Sequence, residues 1–255
     1  TVTVREKTKH DISNFSIKVN GFESGDMRVS ELVLSKFATK GKFIDVTHEI
    51  DVPVGYGFGC SAAVALSLSI ALNDALGCKL SKIQVAQIAH DIEIECKTGL
   101  GDVLASYHGG FEVRVKSGAP GVGEVKKIDS KEKRDVIIIC FNPISTKKFL
   151  KEKISSINGL GGKMVNKLIE SNDTEEFQDM SVKFAKYVNV ITPKMNEVIT
   201  ILHKNGIRCG VALFGETIFS LVTKNEKEKV KEILKQFEDG LIITSKIDNS
   251  GARLQ

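Results

Sequence analysis

The stretch Pro53-Val-Gly-Tyr-Gly-Phe-Gly-Cys-Ser-Ala-Ala63 decides how the rest of the chain is read. Three glycines alternate at Gly55, Gly57 and Gly59. Cys60 and Ser61 follow, and an apolar run of helical length continues from Ala62 to Leu76. Glycine has no Cβ, so its backbone reaches positive φ and lets a ligand come close. A loop of such residues running into a helix aims several N–H groups, and the positive end of the helix dipole, at one place. That is an anion site, and phosphate is the usual anion. The plainer alternative is a bare strand-to-helix turn, but such a turn does not need three spaced glycines and a serine at the helix start.

Two commoner phosphate motifs do not fit. A P-loop ends in Gly-Lys-Ser/Thr, whereas this loop ends Gly59-Cys60-Ser61 and has no lysine. Gly57, Gly59 and Ala62 match the dinucleotide fingerprint in relaxed form, but that motif needs an acid on the next strand, roughly 20 residues on. Here the first helix stops at Gly77 and a second starts at Ser81, so no strand lies where that acid should stand.

The second informative cluster is His90-Asp-Ile-Glu93-Ile-Glu95-Cys-Lys-Thr98-Gly-Leu-Gly-Asp102. His90 and Glu93 are spaced to share one face of the Ser81–Cys96 helix, while Glu95 points elsewhere, towards solvent. Thr98 to Asp102 is a second glycine turn ending in an acid. Taken alone, that acid could equally be a helix cap. Arg114 lies on a strand, Phe111–Lys116, whose other face carries Phe111, Val113 and Val115. It is either a surface charge or a bidentate partner for a carboxylate.

Composition narrows the class. The chain has 255 residues, 42% of them hydrophobic, with a net charge of +4. That is enough apolar material for a core and argues against disorder. With no Trp and 3 Tyr, no aromatic-basic interleaving points to nucleic acid. No apolar run reaches the roughly 18 residues of a membrane span. The 5 cysteines are scattered, odd in number and without a Cys-x-x-Cys, as in a reducing cytoplasm.

Strands are expected at Thr1–Arg5, Asn14–Val19 and Phe43–Ile50, with a helix at Met27–Ala38. His48 and Glu49 are read as able to face solvent, and the helix after the glycine loop as buried nearly all round. The charged stretch Lys126–Arg134 marks a boundary between a domain at 1–130 and another at 131–255. The second half reads as a buried strand (Asp135–Phe141), helices at 146–152, 157–171, 174–187 and 194–204, a hairpin around Gly215, a helix at 225–237 and a closing strand at 241–247. The order suggests an α+β layer with helices on one sheet face.

The glycine loop resembles the ATP loop of the GHMP kinase superfamily, Pro-x-x-x-Gly-x-Gly-Ser-Ser-Ala, matched here by Pro53, Gly57, Gly59, Ser61 and Ala62, with Cys60 in place of the first serine. The His90–Asp102 cluster and the Gly210–Phe219 segment follow in the superfamily's order. Narrower features resemble the archaeal pantoate kinase family: Gly55-Tyr-Gly-Phe-Gly59, His90-x-x-Glu93, Thr98-Gly-Leu-Gly-Asp102, Gly109-Gly110-x-x-x-Arg114 and Ile247-Asp248-x-x-Gly251-Ala252-Arg253.

The resemblance implies an N-terminal ATP domain like domain 2 of ribosomal protein S5 and a ferredoxin-like C-terminal domain. It implies ATP phosphates on Gly55, Gly57, Gly59, Cys60, Ser61 and Ala62, and Mg²⁺ on Ser61 and Glu93. It places Asp102 beside the substrate hydroxyl and His90 and Arg114 near the substrate. The reaction implied is phosphorylation of the terminal hydroxyl of pantoate, on the way to coenzyme A. Mevalonate, homoserine or shikimate as acceptor, or a non-catalytic ATP-binding regulator, are the alternatives. Superfamily members are often dimers, so a homodimer is among the assemblies allowed. The chain opens in strand at Thr1 without an initiator Met, and the family's first strand and Pro-Gly-His-type segment have no match, so its beginning reads as absent.

Overall fold

In the first half, alternating side chains build a three-stranded sheet. It is seen in a computed structural model that describes residues 1–22, 25–99, 101–128, 133–144 and 160–254. The strands β1 (Val2–Glu6), β2 (Phe15–Gly21) and β3 (Lys42–Ile50) lie in the order β1-β3-β2. β1 runs antiparallel to β3 and β2 parallel to it. A parallel pair needs a crossover, and α1 (Arg28–Lys36) supplies it.

Ile44 and Val46 of β3 point into a core shared with Val33 of α1, Leu66 and Leu72 of α2 (Cys60–Ala75), Ile92 of α3 (Lys82–Cys96) and Val103 of α4 (Asp102–His108). Ser81 caps α3 in a full capping box with Gln84, which satisfies two orphan N–H groups at the helix start.

The structure corrects several expectations here. His48 is buried, with its Nε2 3.0 Å from the hydroxyl of Ser30. It shares its side of the strand with Ile44 and Val46, and that side is covered by α1. Glu49 on the opposite face is exposed and accepts from Asn20. Helix α2 is not buried all round: Ala63 and Ser67 are exposed and line a cleft of about 720 Å³ with Thr47, His48, Phe58 and Cys60. Asp102 is the first residue of a short helix rather than the end of a turn. The charged stretch begins inside a strand, because β4 (Glu112–Lys116) pairs antiparallel with β5 (Glu124–Lys127). Both lysines are exposed although they point to opposite faces: the Lys126 ammonium donates to the Ile169 carbonyl, and that of Lys127 to the carbonyls of His108 and Asn249, so the charges are compatible with strand. The boundary expected at 130/131 lies outside the described residues.

The second half contains β6 (Asp135–Pro143), α5 (helical over 160–171), α6 (Thr174–Tyr187), α7 (Pro193–Lys204), β7 (Gly210–Ala212), β8 (Gly215–Val222), α8 (Lys227–Leu234) and β9 (Leu241–Lys246). The helix expected at 146–152 lies outside the described residues. The sheet order is β7-β8-β6-β9, antiparallel throughout. Counted from β6 as first, that is second, third, first, fourth, the ferredoxin-like order expected. Thr192 caps α7 and Pro193 occupies its first turn, where a missing N–H costs nothing.

Ile137 and Ile139 of β6 meet Met195, Val198 and Leu202 of α7 and Val230 and Leu234 of α8 in the core of this half. A smaller cluster of Val113, Ile128, Leu168 and Met180 ties the β4–β5 ribbon to α5 and α6. Among the described residues no helix is long and apolar enough to cross a membrane.

Candidate active site

The glycine loop passes from β3 into α2 with φ of 88° at Gly55, 84° at Gly57 and 65° at Gly59. Gly59 is the N-cap of α2, in the left-handed region that favours glycine. A Cβ at Gly59 would come within 3.1 Å of the Cβ of Asp102, so the start of α2 and the start of α4 are in contact there.

The second half holds the loop from behind. Thr217 Oγ1 donates to the carbonyl of Tyr56 at 2.7 Å, and the Ile144 N–H donates to the carbonyl of Gly55 at 3.1 Å. Gly215 abuts the Tyr56 backbone so closely that a Cβ there would overlap it. A Cβ at Gly57 would lie 3.1 Å from Ala212 O and Phe214 N. The segment Gly210–Phe219 is thus a hairpin folded against the loop, as its place in the motif order suggested.

The loop serine and the two acids come together. Ser61 Oγ donates to Glu93 Oε2 at 3.1 Å, and Thr98 Oγ1 donates to Glu93 Oε1 at 2.7 Å. Glu93 is fully buried. Burial pushes its carboxyl above the ordinary range; the Thr98 and Ser61 hydroxyls pull it back, and the nearby Asp102 charge raises it further. Gly99 lies between the acids: a Cβ there would overlap Asp102 Oδ2 and sit 3.4 Å from Glu93 Oε2. Asp102 is also raised by burial, with Arg114 acting in the opposite direction. Cys60 is half-buried, its Sγ 3.9 Å from the Pro53 carbonyl, and burial raises the thiol, which keeps it protonated. Ala62 is buried in the core below the loop.

Arg114 enters through β4. Its guanidinium lies on the Cα of Gly101, where any Cβ would collide with it. Only the absence of a side chain at 101 lets the cation reach this place beside Asp102. His90, one turn before Glu93 on α3, has an Nδ1 that is sealed from solvent and without a hydrogen-bond partner. The structure therefore gathers Gly59, Ser61, Glu93, Asp102 and Arg114, and leaves a buried ring nitrogen at His90 on the same helix.

Three participants were not singled out from the sequence. Thr98 fixes Glu93, and the helical turn between them was the available signal. Thr217 fixes the loop from far along the chain, and no local signal marks it. Glu112 lies two residues before Arg114, hence on the same strand face.

Among the described residues no three His, Cys, Asp or Glu side chains gather into a metal-binding cage. Mg²⁺ does not need one, being held typically by one or two carboxylates with phosphates and water. A buried Glu93 bonded to Ser61 at the head of a glycine loop fits that donor set.

Residues 27–110 match the profile of the GHMP kinases N terminal domain. The chain is 31% identical over 193 residues to a pantoate kinase of Thermococcus kodakarensis, a region covering 75% of this chain and 63% of that protein. It is 33% identical over 193 residues to a pantoate kinase of Methanocaldococcus jannaschii, covering 75% of this chain and 69% of that one. The match thus spans less than two thirds of the Thermococcus kodakarensis relative. A solved structure described as a phosphotransferase related to the CoA biosynthesis pathway superposes with a TM-score of 0.83 at 26% identity, covering 97% of this chain and 82% of that one.

Proposed function

This chain belongs to the GHMP kinase family, and from that premise we propose that it transfers the terminal phosphoryl group of ATP to the terminal hydroxyl of pantoate, giving 4-phosphopantoate and ADP. The observation that carries the reading is the contact between Gly59 and Asp102, which sets an acid at the mouth of the glycine loop. The pantoate kinases to which the chain is similar support the choice of acceptor.

The loop N–H groups from Gly55 to Ala62 and the N-terminus of α2 would cradle the phosphates. Ser61 and Glu93 would hold Mg²⁺, which neutralises charge developing on the phosphoryl oxygens. Asp102 takes the proton of the attacking hydroxyl as its oxygen bonds to the γ-phosphorus and the bridge to ADP breaks. A carboxyl raised by burial is a better proton acceptor than an ordinary one, and the Asp102 environment raises it. Arg114 takes the substrate carboxylate in a bidentate pair, and His90 donates to or accepts from the same molecule. Most of the rate comes from positioning and electrostatics. A cytoplasmic location completes the reading.

A coupled ADP-release assay across pantoate, mevalonate, homoserine and shikimate tests it. Turnover with pantoate at a kcat/KM at least ten times that of the others is expected. ATP binding without turnover on any of them would mark a regulator, and preference for another acceptor would reassign the substrate.

A further inference from the structure

Glu112 carries a feature that the reaction above does not use. Its Oε2 is sealed from solvent and has no hydrogen-bond partner, and it forms no ion pair with any described residue. A buried carboxylate oxygen left unpaired costs free energy, so a fold that keeps one has a reason to. Lys127 stands opposite Glu112 across the ribbon, but its ammonium is turned to the carbonyls of His108 and Asn249.

The strand decides where Glu112 faces. Val113 points into the cluster with Ile128, Leu168 and Met180. Successive side chains alternate, so Glu112 and Arg114 share the opposite face. Arg114 lies on Gly101, next to Asp102. The charges of Arg114 and Asp102 both act on Glu112, the first lowering its pKa and the second raising it, after burial has raised it most. Three groups therefore converge on one place: the cation Arg114, the acid Asp102, and an orphan acceptor at Glu112.

Residues two apart on a strand have Cα atoms about 6.6 Å apart. Side chains from such a pair can converge on two functional groups carried by adjacent carbons. Resting on the kinase reading above, we propose that Glu112 is a specificity-determining residue that accepts a hydrogen bond from the second hydroxyl of the substrate, the one on the carbon bearing the carboxylate, while Arg114 holds the carboxylate itself. The site would then read a 2-hydroxy acid as a unit, with the hydroxyl that is not phosphorylated held at Glu112 and the terminal one delivered to Asp102. A site built to bond a hydroxyl rejects the analogue that lacks it, because its buried acceptor is left unpaired.

The test compares pantoate with 4-hydroxy-3,3-dimethylbutanoate, which lacks only the 2-hydroxyl, by turnover and by calorimetric binding. Wild-type enzyme is expected to prefer pantoate by about 10- to 100-fold in kcat/KM, the range of a hydrogen bond to a charged group. Glu112→Ala is expected to bring the preference to within about threefold, chiefly through a lower kcat/KM for pantoate. Glu112→Gln keeps the volume and one acceptor oxygen, so it carries the same comparison if the alanine variant does not fold, and an intermediate preference is expected of it. A variant that keeps the full wild-type preference while losing activity on both acids equally would overturn the assignment and leave Glu112 acting through Arg114 or packing. Wild-type enzyme that neither binds nor phosphorylates pantoate in preference to the deoxy acid would overturn it too. Wild type without any turnover of pantoate overturns the kinase reading, an outcome separate from the behaviour of the variants.

Discussion

Thr217 Oγ1 donates a 2.7 Å hydrogen bond to the carbonyl oxygen of Tyr56, joining the C-terminal hairpin to the glycine loop across 161 residues of chain. Thr217 is itself fully buried. Thr217→Val keeps the shape and removes the donor, leaving that carbonyl without its partner. A loss of about 1–3 kcal/mol is expected, seen as a fall in Tm of several degrees. KM for ATP should rise several-fold while KM for the acceptor stays near wild type, as steady-state kinetics with each substrate varied in turn will show.

Asp102→Asn should lower kcat by about 10²- to 10⁴-fold, the usual worth of a positioned proton acceptor. Its affinity for ATP, measured by calorimetry, should change little. Turnover close to wild type in this variant would remove Asp102 from the reaction.

Burial sets the pH dependence of stability. The folded-state pKa of Glu93 lies above its unfolded value because a buried carboxylate is poorly solvated. The folded protein therefore binds more protons than the unfolded chain between the unfolded value, about 4.3, and the raised one. The stability this group contributes is complete below about pH 4 and is lost as pH rises through the folded value. Glu93→Gln removes the ionisation, so its Tm should exceed that of wild type at pH 8 and match it at pH 4. Thermal melts at both pH values, without nucleotide or metal, check the sign. The same variant should be inactive at either pH.

Gly101→Ala puts a methyl group where the Arg114 guanidinium lies. The cation must move away from Asp102. A charge-assisted pair is worth about 1.5–3 kcal/mol, so kcat/KM for the hydroxy acid should fall at least about tenfold. KM for ATP should hold. An unchanged kcat/KM would mean that Arg114 does not meet the substrate.

How much of this was readable depends on how local each signal was. The loop, the helix behind it and Ser81 as a cap are short-range patterns, and the structure has them within a residue or two. Glu93 and Asp102 are separated by one glycine turn, so their meeting is nearly local too. His48 lies on the same side of β3 as Ile44 and Val46, and the cover that α1 lays over that side, which no local pattern announces, is what buries it. The short helix α4 was missed because its seven residues give little periodicity. The Thr217–Tyr56 bond, and the guanidinium of Arg114 on Gly101, exist only once distant segments pack, and no spacing rule announces them.

The Gly59–Asp102 contact has an evolutionary corollary. The N-cap of α2 and Asp102 are distant in sequence but touch in the fold, so a substitution at one is felt at the other. A larger residue at 59 would strain the backbone and displace the acid in the same step. Neither position is free to drift unless the other changes with it, and a laboratory search that randomises them separately will sample mostly dead sequences, whereas paired libraries at 59 and 102 would reveal whatever alternative solutions this fold allows.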